Sequence, residues 1–127
     1  MRPRVLIVDD DKLMRQILGA ILAANGFSVV GEAGSGQAAV EFCKRGAMDI
    51  ICLDIHMPGL SGLDTLKALR KDYPLPKVVM VTGDAHLETV QDAVSLGACG
   101  YIIKPFSEAK VVDTLKRISG WHETNAV

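Results

Sequence analysis

Five short runs of β-branched and apolar residues, at 4–8, 28–31, 50–53, 77–81 and 100–103, alternate with longer stretches of helical period. Two of the runs, "VLIV" at 5–8 and "VVMV" at 78–81, are apolar at every position. A strand with one wet face would alternate; an unbroken apolar run needs cover on both sides. Five such units in succession predict an α/β fold: a parallel sheet, helices on both faces and right-handed crossovers. A chain of 127 residues suits one core. The expected division is one domain over 1–120 and a short tail, 121–127, with no output domain.

The helices have legible ends. The first is expected over 12–25, with Leu13, Ile17, Ile21 and Leu22 on one stripe and Asn25-Gly26 as its stop. The second follows "GSG" with Ser35 able to cap, and the third opens at Ser61 with Asp64 three residues on. The fourth covers 86–96, and the fifth starts from Ser107 and fades by Gly120.

Composition removes several classes of function. The net charge of −1 lacks the Lys/Arg excess that phosphate contacts need, so no direct nucleic-acid contact is expected. No apolar run approaches the ~20 residues of a membrane span, and the N-terminus reaches a strand too soon for a signal peptide. Three cysteines are odd in number and share no metal spacing. Cys52 and Cys99 lie in apolar runs as small hydrophobes, and all three read as reduced thiols of a cytoplasmic protein.

In a parallel sheet of this kind, ligands bind beyond the carboxyl ends of the strands. Strand one ends in Asp9, Asp10 and Asp11; strand three in "LDIHMPG", 53–59; strand four in Thr82-Gly83-Asp84; strand five in Lys104-Pro105-Phe106. One edge thus gathers carboxylates, a hydroxyl and an ammonium. Crowded carboxylates form a hard-oxygen site for Mg²⁺ or Mn²⁺. Lysine and threonine suit phosphoryl oxygens, so the set reads as phosphoryl transfer onto a carboxylate. Taken singly, Asp11 reads as a helix cap, Thr82 as a strand residue and Lys104 as a surface charge. "GSG" at 34–36 reads as a turn, since nothing matches phosphate-loop spacing. His56 and Asp84 each lie two residues past a site residue and are expected to face each other across the site's mouth.

The chain resembles the receiver domain of two-component response regulators, on "VLIVDDD", "LDIHMPGLSG", "VTG" and "YIIKPF" in that order. The stand-alone chemotaxis regulators are the nearest in shape. The resemblance implies a flavodoxin-like sheet of order 2-1-3-4-5 and a phosphoacceptor at Asp54. It implies Mg²⁺ held by Asp10, Asp54 and the His56 backbone carbonyl, with Asp9 acting through metal-bound water. Thr82 takes the place of the switch hydroxyl and Tyr101 that of the switch aromatic. Lys104 takes the place of the lysine that pairs with the acceptor, and Pro105 that of a proline after a cis bond. Gly83 holds a position that must be small for a donor to enter, and His56 and Asp84 are the variable residues at the mouth. The implied partners are a sensor histidine kinase or a histidine phosphotransfer protein, and a downstream protein at helix 4, strand 5 and helix 5. A phosphorylation-dependent dimer through that surface is the alternative to a monomer. The expected role is a switch that assists its own phosphorylation, rather than an enzyme with a separate substrate. A haloacid-dehalogenase-type phosphatase or mutase also forms an aspartyl-phosphate, but carries D-x-D, and here His56 stands where the second acid would be.

Overall fold

The computed structural model describes residues 2–120 and shows five βα units in strict alternation. They are β1 (Arg4–Val8), α1 (Lys12–Ala24), β2 (Ser28–Ala33), α2 (Gly36–Arg45), β3 (Ile50–Leu53), α3 (Gly62–Asp72), β4 (Lys77–Thr82), α4 (Leu87–Ser95), β5 (Gly100–Ile103) and α5 (Glu108–Ser119). All strand pairs are parallel, in the order β2-β1-β3-β4-β5. The expected tail at 121–127 lies outside the described residues. No helix among those described is long and apolar enough to cross a membrane.

The unbroken apolar runs are explained by two cores, one on each face. Successive residues of a strand point to opposite sides. Leu6, Val8, Ile51, Leu53, Val78 and Met80 pack with Ala39, Leu66, Leu69 and Ala93 of α2, α3 and α4. Val5, Ile7, Ile50, Cys52, Val79, Val81 and Ile102 pack with Leu18, Leu22, Val111 and Leu115 of α1 and α5. The central strands β1, β3 and β4 therefore contribute to both cores.

Four helix starts follow from capping side chains. Asp11 accepts the Leu13 and Met14 amides, and the Ser35, Ser61 and Ser107 hydroxyls accept those of Ala38, Asp64 and Lys110. These are the caps legible in the sequence.

The α1 stripe differs from expectation. Leu18 and Leu22 are buried and Ile21 half-buried, but Leu13 is 63% and Ile17 42% exposed. A four-residue step overshoots one helical turn by about 40°. The row 13, 17, 21 therefore winds toward the sheet and only its last member arrives.

The cysteines also divide differently. Cys43 and Cys52 are buried and Cys99 is exposed, because it leads into β5, the edge strand. Burial pushes the Cys43 thiol up and that of Cys52 up to about 12. The thiolate is the nucleophile, so a neutral-pH alkylating reagent is expected to modify Cys99 first and Cys52 only on unfolding. Peptide mass spectrometry over time checks this; equal rates for Cys99 and Cys52 would contradict the placement.

Candidate phosphoacceptor site

The sheet register assembles the site. Val8 pairs with Leu53, and the ladder runs one bond further, the Asp54 amide donating to the Val8 carbonyl at 3.0 Å. Thr82 pairs with Ile103, and the Lys104 amide donates to the Thr82 carbonyl at 2.8 Å. Asp9, Asp54, Thr82 and Lys104 thus emerge on one edge, where the order turns between β1 and β3.

Lys104 Nζ lies 2.6 Å from Asp9 Oδ2 and 3.1 Å from Asp54 Oδ2, joining the two buried carboxylates. Burial pulls the Lys104 ammonium down, but its hydrogen bond to Asp9 and the charges of Asp54 and Asp9 outweigh it and leave the pKa raised. The other carboxylate oxygens bond locally: Asp9 Oδ1 accepts the Asp11 amide at 2.9 Å and Asp54 Oδ1 the Ile55 amide at 2.7 Å. The peptide bond between Lys104 and Pro105 is cis.

Asp10 is exposed, and its carboxylate makes no hydrogen bond or ion pair among the described residues. One oxygen from each of Asp9, Asp10 and Asp54 falls within 4.8 Å of the others. Three carboxylates against one ammonium leave an excess of negative charge on hard oxygens, which fits a divalent cation such as Mg²⁺. The cluster sits on an open edge. A cavity of about 800 Å³, lined by Arg4, Met48, Tyr73 and Leu75 among others, lies at the opposite end of the strands. An acceptor for a protein-borne phosphoryl group needs the open edge.

Thr82 is buried, and its Oγ1 accepts the Asp84 amide at 3.3 Å. A Cβ on Gly83 would meet nothing within 4 Å, so the approach past β4 is open. Tyr101 is half-buried, its hydroxyl donating to the Asp84 carbonyl. Burial, then the charges of Asp84 and Asp54, raise its pKa. His56 and Asp84 face each other, with Nε2 2.7 Å from Oδ2. The hydrogen bond from His56, then those from the His86 amide and ring, hold the Asp84 carboxyl well below the usual range.

Two features were not anticipated. Arg15, in the first turn of α1, donates from Nη1 to the Asp9 carbonyl at 2.6 Å and from Nε to Glu32 Oε1 at 3.0 Å. A guanidinium four residues past a cap is a common surface pattern, and only the pairing of β1 with β2 brings Glu32 to it. The second is His86, whose Nδ1 lies 2.8 Å from Asp84 Oδ1. The Asp-x-His spacing at a helix start was the available signal.

Residues 5–116 match the response regulator receiver domain family. The chain is 39% identical over 119 residues to the chemotaxis protein CheY of Thermotoga maritima, covering 94% of this chain and 99% of that one. A CheY-like receiver domain protein from Methanospirillum hungatei superposes with a TM-score of 0.88 at 28% identity, covering 94% of this chain and 95% of that one. The structure of a CheX–CheY–BeF₃–Mg²⁺ complex from Borrelia burgdorferi matches with a TM-score of 0.88 at 31% identity, over 91% of this chain and 87% of that one. The haloacid-dehalogenase alternative finds no support in these likenesses. The register that joins Asp9, Asp54, Thr82 and Lys104 and the match over nearly the whole chain agree: this protein belongs to the response regulator receiver domain family.

Proposed function

We propose that Asp54 accepts a phosphoryl group from a phosphohistidine of a sensor kinase or phosphotransfer protein. The observation that carries this is the bridge of Lys104 between Asp54 and Asp9 at the open edge of the sheet. The bond from an Asp54 oxygen to phosphorus forms as the donor's phosphorus–nitrogen bond breaks, and the freed imidazole takes up a proton. Lys104 offers an ammonium to the incoming phosphoryl oxygens, and Thr82 a hydroxyl. Asp10, Asp54 and the His56 carbonyl would hold Mg²⁺ or Mn²⁺, with Asp9 acting through water. When bound, the ion supplies positive charge that offsets the like charges of acceptor and phosphoryl group. His56, Gly83 and Asp84 tune access to the site.

The output is a changed surface at α4, β5 and α5, read by a downstream protein or by a second copy. Leu87, Val94 and Ile103 support that surface, being 70%, 60% and 39% exposed. The protein works in the cytoplasm, as a switch and not as an enzyme turning over a separate substrate.

A phosphoryl group shifts a two-state equilibrium only through contacts made in one state and absent from the other. Thr82→Ala is therefore expected to accept phosphate on Asp54 yet lose most of the conformational response. Amide chemical shifts over 85–96 and 100–106, before and after treatment with acetyl phosphate and Mg²⁺, test this. Equal shift changes in Thr82→Ala and the unmodified sequence would overturn the switch reading.

A further inference from the structure

Helix α4 begins unlike the other four. Its N-cap residue, His86, makes no side-chain capping bond, and of its nine residues only Ala93 is buried. What holds its start is a residue outside the helix. Asp84 Oδ1 accepts the His86 amide at 3.0 Å and lies 2.8 Å from His86 Nδ1, while Oδ2 accepts the Thr89 hydroxyl at 3.3 Å. A carboxylate there also complements the positive end of the helix. The same Oδ2 lies 2.7 Å from Nε2 of His56, which follows the acceptor Asp54 by two residues. The backbone of Asp84 reaches both proposed switch residues, its amide donating to Thr82 Oγ1 and its carbonyl accepting from Tyr101.

We propose that Asp84 is a positioning residue that straps the loop after β3 to the start of α4, so that the order of α4 depends on His56, a side chain that makes no direct hydrogen bond to that helix among the described residues. The strap runs from His56 through the Asp84 carboxylate to His86 and Thr89. Both rings donate a hydrogen, from Nε2 of His56 and Nδ1 of His86, in the matching neutral tautomers as well as in the charged form. The strap joins the carboxyl-end loops of two neighbouring strands through side chains, and α4 has little apolar burial of its own to hold it. It exists before any phosphoryl transfer, so its test does not depend on the acceptor role of Asp54.

The test is amide hydrogen exchange in the unphosphorylated protein at fixed neutral pH without divalent metal. Hydrogen bonds to a charged acceptor contribute enough that Asp84→Ala should speed exchange at 90–92, where the helical bonds of α4 begin, by about tenfold or more. His56→Ala, which removes an exposed partner, should speed the same amides by about threefold. His56→Gln, which keeps a side-chain N–H, should restore much of the protection, and rates in α5 and β4 should not move. In the double variant, His56→Ala should add nothing to Asp84→Ala, because it acts only through that carboxylate. If His56→Ala leaves 90–92 unchanged, Asp84 is a helix anchor alone and the strap is refuted. Should Asp84→Ala fail to fold, the exposed His56 pair of variants decides the matter.

Discussion

Asp54→Asn is expected to take up no phosphoryl group at the main site from acetyl phosphate and Mg²⁺, while keeping its fold. The substitution is nearly isosteric and leaves Lys104 its 2.6 Å contact with Asp9. What it removes is the anionic oxygen that would attack phosphorus, and an amide nitrogen does not replace it. Chelating Mg²⁺ should slow uptake by the unmodified sequence at least about a hundredfold, since a bound metal contributes several kcal/mol to such charge stabilisation. Intact-protein mass against time reads both effects. Undiminished uptake by Asp54→Asn would contradict the acceptor assignment; chelator-insensitive uptake would contradict the metal assignment.

Gly62→Ala is expected to be strongly destabilising. The Gly62 amide donates to the Ile55 carbonyl at 2.7 Å, drawing the start of α3 against the segment that carries Asp54. A Cβ there would lie 2.0 Å from the Asp54 carbonyl oxygen and 2.5 Å from the Ile55 Cα. Both are backbone atoms, so relief requires moving β3 or α3 rather than turning a side chain. Overpacking of this kind costs about 3 kcal/mol or more, and the strain falls on the backbone of Asp54, the proposed acceptor. Gly83→Ala supplies the control, since a Cβ there meets open space. Urea midpoints should fall steeply for the first and hardly move for the second. Equal midpoints would show that α3 does not press on the acceptor segment.

The sequence made the sheet readable because its strands are covered on both faces, and "VLIV" and "VVMV" leave no other reading. The caps at Asp11, Ser35, Ser61 and Ser107 were legible because a cap is a local bond, closed within three residues. What failed was depth rather than element type. Leu13 and Ile17 share a helical row with Ile21 but face solvent, since burial depends on where the sheet lies beneath the helix. Cys99 sits in an apolar run but leads into an edge strand, and edges follow from strand order rather than composition.

The candidate site divides in the same way. Asp9, Asp54, Thr82 and Lys104 were legible as strand ends, since a parallel sheet puts every such end on one edge. The facing of His56 and Asp84 followed from equal offsets past two neighbouring strands. Arg15 with Glu32 was not legible as a pair, because its geometry depends on the crossing of α1 over β1 and β2, which no spacing in the chain records. His86 with Asp84 offered only the Asp-x-His spacing, and the bond itself depends on the rotamers.

The edge that joins Asp9, Asp54, Thr82 and Lys104 is expected to carry a phosphoryl group on Asp54. Borohydride reduction of the phosphorylated protein converts an aspartyl-phosphate to homoserine, which peptide mass spectrometry then locates. Homoserine is expected at position 54, formed only where Mg²⁺ was present during phosphorylation. An unreduced Asp54 in protein that has gained a phosphoryl group, or phosphate retained on a serine or threonine, would contradict it.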